Sequence, residues 1–292
     1  RSARVIALGN AKGGTGKSTI AVHLTTGLLE QGFQVGCVDL DGGQGTLSRY
    51  LENRAATAMA ERRDLAMPVH RRVEASAARN RDTAEAEETA RLREAFAELA
   101  DCDVVVVDTP GSESHLARLG HVNADVLVTP INDSYLDIDV LARIDRRKRE
   151  VLAASDYCRM VWELRERRAR EDSGQGAGEG AGQDGGAPDG GTLDWIVVRN
   201  RLAHIDARNS RDIAALLNQL SRRIGFRLGH GLSERVGFRE LFDRGLTLLD
   251  LAADDPEIRN AASHRRACRE IFDLIADLEL APAPQRRAAA VH

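Results

Sequence analysis

Lysine is nearly missing from this chain. Lys12, Lys17 and Lys148 stand against 38 arginines in 292 residues, and two of the three lie five residues apart in one glycine-rich loop. A compact ammonium on a flexible stem reaches into a phosphate cluster where a planar guanidinium fits poorly, so that placement is informative. Cysteine is scarce too. Cys37, Cys102, Cys158 and Cys268 lie far apart without a CxxC pair, which excludes a disulfide framework and a zinc knuckle and fits a reducing cytoplasm. No run approaches the roughly 20 uninterrupted apolar residues of a membrane helix. The strand-like Arg4–Leu8 begins so early that no room for a signal peptide is expected. The segment from Pro282 to His292 lacks the bulky apolar face of a membrane-anchoring helix, so no membrane partner is expected. The eight histidines form no HxxxH spacing, so His23 is read as packing rather than as a metal ligand.

What is present suffices for a large fold. A hydrophobic share of 42% with 29% charged residues and net charge −4 excludes a wholly disordered chain. Short apolar runs at Val5–Leu8, Gln34–Leu40, Val104–Val107, Val126–Thr129 and Trp195–Val198 alternate with helical stretches. Continuous apolar strands of this kind are buried on both faces, which predicts an α/β fold: a mostly parallel twisted sheet with helices on both sides. The segment from Arg54 to Leu99, rich in Ala, Arg and Glu, reads as helical. Asp255-Pro256-Glu257 reads as the start of a helix running to about Leu278. Ser173–Gly191 holds nine glycines in nineteen residues and is expected to be a disordered insertion. The expected organisation is one domain over about 1–280, interrupted at about 172–191, with a flexible tail over 281–292.

The chemistry concentrates in Lys12-Gly13-Gly14-Thr15-Gly16-Lys17-Ser18-Thr19, between a strand and a helix. Glycines free backbone amides to point at phosphates, Lys17 balances the β- and γ-phosphate charge, and the Ser18 hydroxyl is placed for Mg²⁺. A dinucleotide fingerprint fails because Thr19 stands where a third glycine is needed. Acids follow at the carboxyl ends of two strands. Asp39 and Asp41 close the second, and Asp108-Thr109-Pro110-Gly111 closes the third. Asp108 is the natural partner for Mg²⁺ through water. Asp39 and Asp41 point the same way from an extended chain, so one supports the metal or the loop while the other orients the attacking water.

A basic stretch lies further on. From Arg199 to Arg227 seven arginines stand against two acids. On a helix from Ser210 to Ile224, Ile213, Leu216, Leu217, Leu220 and Ile224 share one face, while Arg211 and Arg222 fall within roughly 20° of each other opposite it. With Arg199, Arg201, Arg208 and Arg223 they form a candidate DNA-binding ridge that meets phosphates without reading bases, because no aromatics interleave it. A solvated helix face is the alternative.

The loop with its extra Lys12, the Asp39-Leu40-Asp41 pair and the Asp-Thr-Pro-Gly switch resemble the ParA/MinD family of dimeric ATPases with a deviant phosphate loop. More narrowly, Gly9-Asn10, Ile20–Leu24, Thr129–Ser134, Arg199–Leu202, Arg239–Phe242 and Gly245–Leu251 resemble the MipZ branch, alphaproteobacterial division-site regulators. The resemblance implies a P-loop NTPase fold and an ATPase using ATP/ADP and Mg²⁺, cytoplasmic and associated with the nucleoid. It implies an ATP-dependent homodimer that binds non-specific DNA, inhibits FtsZ assembly and interacts with ParB. It casts Lys12 as the lysine reaching the partner subunit's phosphates, Asp41 as the residue supporting hydrolysis and Asn200 as an adenine contact. The alternatives are a plasmid-type partition ATPase and an ATP-dependent ligase of the dethiobiotin synthetase type. An iron–sulfur ATPase reductase would need a cysteine soon after Asp108, and none occurs before Cys158.

Overall fold

A computed structural model describes residues 3–145, 150–172, 193–202, 208–233, 241–254 and 261–283. The five apolar runs become strands β1 (Arg4–Leu8), β2 (Val35–Asp39), β4 (Val104–Asp108), β5 (Val126–Asn132) and β8 (Asp194–Asn200). β3 (Val69–Arg72) and β9 (Arg227–Gly229) flank them in a seven-stranded sheet of order β3-β2-β4-β1-β5-β8-β9, every pairing parallel. The four valines of β4 show why. Their branched side chains favour the pleated backbone, and all four are buried because alternate residues feed opposite faces of a covered sheet.

On one face Ile6, Leu8, Val104, Val106 and Val128 pack against α1 (Lys17–Glu30), α2 (Thr46–Glu61) and α9 (Ala262–Asp277). On the other, Ala7, Val105, Val107, Leu127 and Trp195 meet α3 (Arg81–Glu98), α4 (His115–Asn123), α6 (Asp156–Asp172) and α7 (Arg208–Ile224). Each such Val, Ile or Leu contributes about 1.5–3 kcal/mol by leaving water. Both tryptophans, Trp162 and Trp195, lie in this second layer. Tyr157, Trp195 and Phe226 stack edge to face, and the Trp195 indole N–H donates to Thr129 Oγ1 at 2.9 Å.

The structure corrects the helical reading of 54–99. Arg62, with φ 53°, ends α2, and β3 follows at the sheet edge beside β2 before Asn80 caps α3 by accepting from Thr83 N at 2.9 Å. A half-exposed edge strand reading Val-His-Arg-Arg carries no buried periodicity, so its helix-forming surroundings hide it. A short α5 (Tyr135–Ile138) and a hairpin of β6 (Ala142–Asp145) and β7 (Glu150–Ala154), paired antiparallel outside the main sheet, were also unannounced. Near the C-terminus the helix expected to run to about Leu278 is α9, which opens after an extended Ala261, and a separate short helix, α8 (Leu248–Asp254), precedes it. Its proposed Asp-Pro start lies outside the described residues, as do the glycine-rich stretch and residues 284–292. No helix among the described residues is long and apolar enough to cross a membrane.

Candidate functional site

β1 lies at the centre of the sheet between β4 and β5, so whatever follows Leu8 emerges at the carboxyl edge with strand ends on both sides. Residues 9–16 make that loop. Gly14 (φ 75°) and Gly16 (φ 96°) hold left-handed backbone that a side chain would strain, and Gly16 caps α1 without any side-chain bond. The first amides of α1 are thereby left for an anion, at the positive end of the helix. Gly13 and Thr19 are exposed, Ser18 is half-buried, and the buried Thr15 keeps its hydroxyl unpartnered.

Two asparagines brace the loop, one within it and one beyond it. Asn10 donates to Pro130 O (2.7 Å) and accepts from Lys12 N (2.8 Å), tying the loop to β5. Asn200, at the end of β8, donates to Thr15 O at 2.9 Å, and a Cβ on Gly16 would stand 2.1 Å from its Nδ2. Asn200 therefore sits against the loop, and one of its amide protons is spent on holding it. The sequence placed Asn10 in the family resemblance but gave it no role, because its partner Pro130 lies 120 residues away and meets it only in the folded sheet.

The two lysines part company. Lys17 is buried and folds back to donate to Lys12 O at 3.0 Å. Burial lowers its pKa, while Asp108 and Asp41 favour its charge. Lys12 leaves the loop instead: its ammonium donates to Leu136 O and faces the Asp137 carboxylate at 3.5 Å, at the start of α5. Asp137 was not foreseen as a site residue.

The acids divide as well. Asp39 and Asp108 are neighbours in register on β2 and β4, both fully buried. Asp39 accepts from Ser48 N (2.9 Å), Ser48 Oγ (2.7 Å) and Asp41 N (3.0 Å), so it fastens the start of α2 and the loop before it. Its carboxylate is a framework group. Asp41, half-buried, meets only a long contact from Gln44 N at 3.4 Å. Asp108 stands apart. Burial pushes its pKa up to about 7, against the pull of Ser18 and Lys17. Ser18 is close enough to favour the ionised form, yet neither carboxylate oxygen reaches hydrogen-bond geometry. Two orphaned, buried acceptors beside a half-buried serine hydroxyl suit the water shell of a hard divalent cation. Over them lies the switch. Thr109 Oγ1 donates to Leu8 O at 2.6 Å, and a Cβ on Gly111 would come within 3.0 Å of Gly13 Cα and 3.3 Å of Lys17 Nζ.

Matching this arrangement, the sequence profile of the family described as ATPase MipZ aligns with residues 4–282. The chain belongs to the MipZ ATPase family. An uncharacterized protein of Pseudomonas putida is 30% identical over 166 residues, covering 50% of this chain and 63% of its own length. The chain thus spans less than two thirds of that curated relative. Among solved structures, an ATP complex of a McdA variant from Cyanothece has TM-score 0.62 at 16% identity, over 97% of this chain and 99% of that one. The MinC:MinD cell division complex of Aquifex aeolicus gives 0.55 at 16%, over 98% and 99%. The septum site-determining protein MinD with Mg-ADP from Pyrococcus horikoshii gives 0.53 at 16%, over 95% and 97%. At these identities the likeness shows a common fold, the P-loop ParA/MinD-like architecture.

In this MipZ-family chain the arginine ridge is partly assembled. The five apolar residues of α7 are buried, and Arg211, Arg222 and Arg223 are exposed, as the periodicity requires. Arg201 is exposed just after β8 on left-handed backbone (φ 54°). Arg208 opens α7. Arg199 departs from the expectation. Its guanidinium donates to Asp133 Oδ1 at 3.1 Å and Ser210 Oγ at 2.7 Å, clamping the ends of β8, β5 and α7 together.

Proposed function

We propose that the chain is an ATP-dependent dimerising switch that hydrolyses ATP, binds non-specific DNA as a dimer and regulates placement of the division site, with ParB and FtsZ as protein partners. It acts in the cytoplasm, on the nucleoid. The observation that carries the nucleotide part is the buried, unpartnered Asp108 carboxylate beside Ser18, under a glycine loop whose helix end is uncapped. Lys17 and the amides of Gly13–Ser18 hold the phosphates, Thr19 borders them, and the Ser18 hydroxyl together with Asp108, the latter through water, would hold Mg²⁺. When bound, the ion neutralises charge that develops on the transferring phosphoryl group. Asp41 orients the attacking water, since Asp39 is already committed to Ser48. Asn200 keeps the loop at its height and offers the rest of its amide to adenine. Lys12, free to exchange Asp137 for a denser anion, reaches the phosphates of a second subunit, which makes dimerisation depend on ATP.

Size-exclusion chromatography with ADP and with a slowly hydrolysed ATP analogue tests this directly. The analogue is expected to double the apparent mass of the wild type. Lys12→Ala should bind nucleotide through Lys17 yet stay monomeric. A wild type that elutes unchanged with the analogue, or a Lys12→Ala protein that dimerises normally, contradicts the reading.

A further inference from the structure

A chamber of about 360 Å³ opens between the switch residues 110–114, α4 and α6, and reaches Asn10 and Ala11 at the root of the phosphate loop. Its volume lies within the range of roughly 300–1,000 Å³ typical of small-molecule sites. Ala117, Val122, Met160 and Leu164 make an apolar lining. Bordering this lining is a buried polar group without a hydrogen-bond partner: His121, 4% exposed, its Nε2 packed toward Gly9 and neither ring nitrogen hydrogen bonded. Burial, reinforced by Lys17, lowers its pKa to about 4, so the imidazole is neutral and offers one donor and one acceptor. The neighbouring side chain cannot serve it. Tyr157 meets the imidazole edge-on at 5.8 Å, and its hydroxyl is engaged with Thr129 at 3.0 Å. Arg118 and Arg159 at the mouth stand among Glu113, Asp156 and Glu163, with Arg159 paired to Asp156, so the mouth offers no excess of positive charge to an anion.

We propose that this chamber binds a small uncharged amphiphile, an aromatic or aliphatic body carrying one hydroxyl or amide, whose polar group pairs with His121. A dry apolar guest would leave the imidazole unsatisfied, and an ion would lose its hydration beside apolar walls. Asn10 fixes the phosphate loop and Pro110 belongs to the switch, so a guest here biases the nucleotide site. That part rests on the nucleotide reading above.

Phenol is the probe, with toluene as the same body lacking the polar group and benzoate as its charged counterpart. Binding to the full ¹⁵N-labelled chain is followed through the His121 ring nitrogens. Phenol is expected to saturate, shift those nitrogens and bind about tenfold more tightly than either comparator, the worth of one hydrogen bond. His121→Phe should lose that preference, and Ala117→Leu, which grows into the chamber, should lose phenol binding. Saturating phenol should change ADP affinity at least threefold. Absence of a saturable His121 shift, meaning that the chamber holds water only, overturns the site, as does equal binding of the three compounds or of phenol to Ala117→Leu. An ADP affinity that phenol leaves unmoved overturns the coupling. Failure to bind ADP even without phenol counts against the nucleotide reading, and the His121 shifts still decide the chamber.

Discussion

Asp108 ends β4 and Asp41 lies two residues beyond β2, and their surroundings give them opposite duties. Asp108 is buried without a partner, and its pKa near 7 lies above that of an unfolded aspartate. The folded state therefore holds a proton that the unfolded state has released between about pH 4 and 7. Folding is favoured by this group below that window and loses the contribution as pH rises through 7. Asp108→Asn removes the buried charge while keeping the shape. It should raise the stability of the nucleotide-free protein by about 1–3 kcal/mol at pH 8, with the gain vanishing below pH 4, as denaturant titrations at several pH values would read. The same change should abolish Mg²⁺-dependent nucleotide binding. Asp41, lightly bonded, has little stability to lose. Asp41→Ala should dimerise with ATP and hydrolyse it at least a hundredfold more slowly, so that its dimer outlives the wild type in a phosphate-release assay. A normal rate would assign the water to another group.

Among elements, α7 carries the sharpest amphipathic division, with five buried apolar residues opposite exposed arginines. Its apolar face was legible because a period of 3.6 is a local property of the chain. The fate of Arg199 was not, since Asp133 lies 66 residues away and meets it only when β5 and β8 pair. The ridge that remains comprises Arg211, Arg222 and Arg223, with Arg201 beside it. Arg211 and Arg222 changed together to Glu should weaken binding of unrelated duplexes about equally, and wild-type affinity should fall steeply with salt. Few contacts per subunit mean that binding needs two ridges joined by ATP. Equal DNA binding with ADP and with ATP, in filter or anisotropy assays at one ionic strength, would reduce α7 to a solvated face.

The molecule is closed by contacts that join distant parts of the chain. Arg54 on α2 and Asp250 on α8 form a doubly hydrogen-bonded pair at 2.9 and 2.8 Å, both side chains under 5% exposed. Burial would raise the Asp250 pKa, but Arg54 and Thr247 together hold it below the usual carboxylate range. Its contribution is thus present above pH 4 and is lost as pH falls through the depressed value. Asp250→Ala leaves a buried guanidinium uncompensated and should cost about 3–5 kcal/mol, read as a fall in thermal midpoint at pH 7 that narrows in acid. An unchanged midpoint would show that α8 is not held to α2 by this pair.

The amino-acid sequence alone determined the phosphate loop, the five inner strands and the apolar face of α7. Glycine backbone freedom, β-branched runs and helical periodicity act within a few residues of one another. Tertiary structure decided the rest. It gave Ser48 to Asp39 and left Asp41 lightly held, set Lys12 against Asp137, withdrew Arg199 into a clamp and stranded His121 beside a chamber. Each outcome depends on which groups converge when parallel strands bring distant segments to one edge of the sheet. A side chain's partners, unlike its secondary structure, are chosen across space.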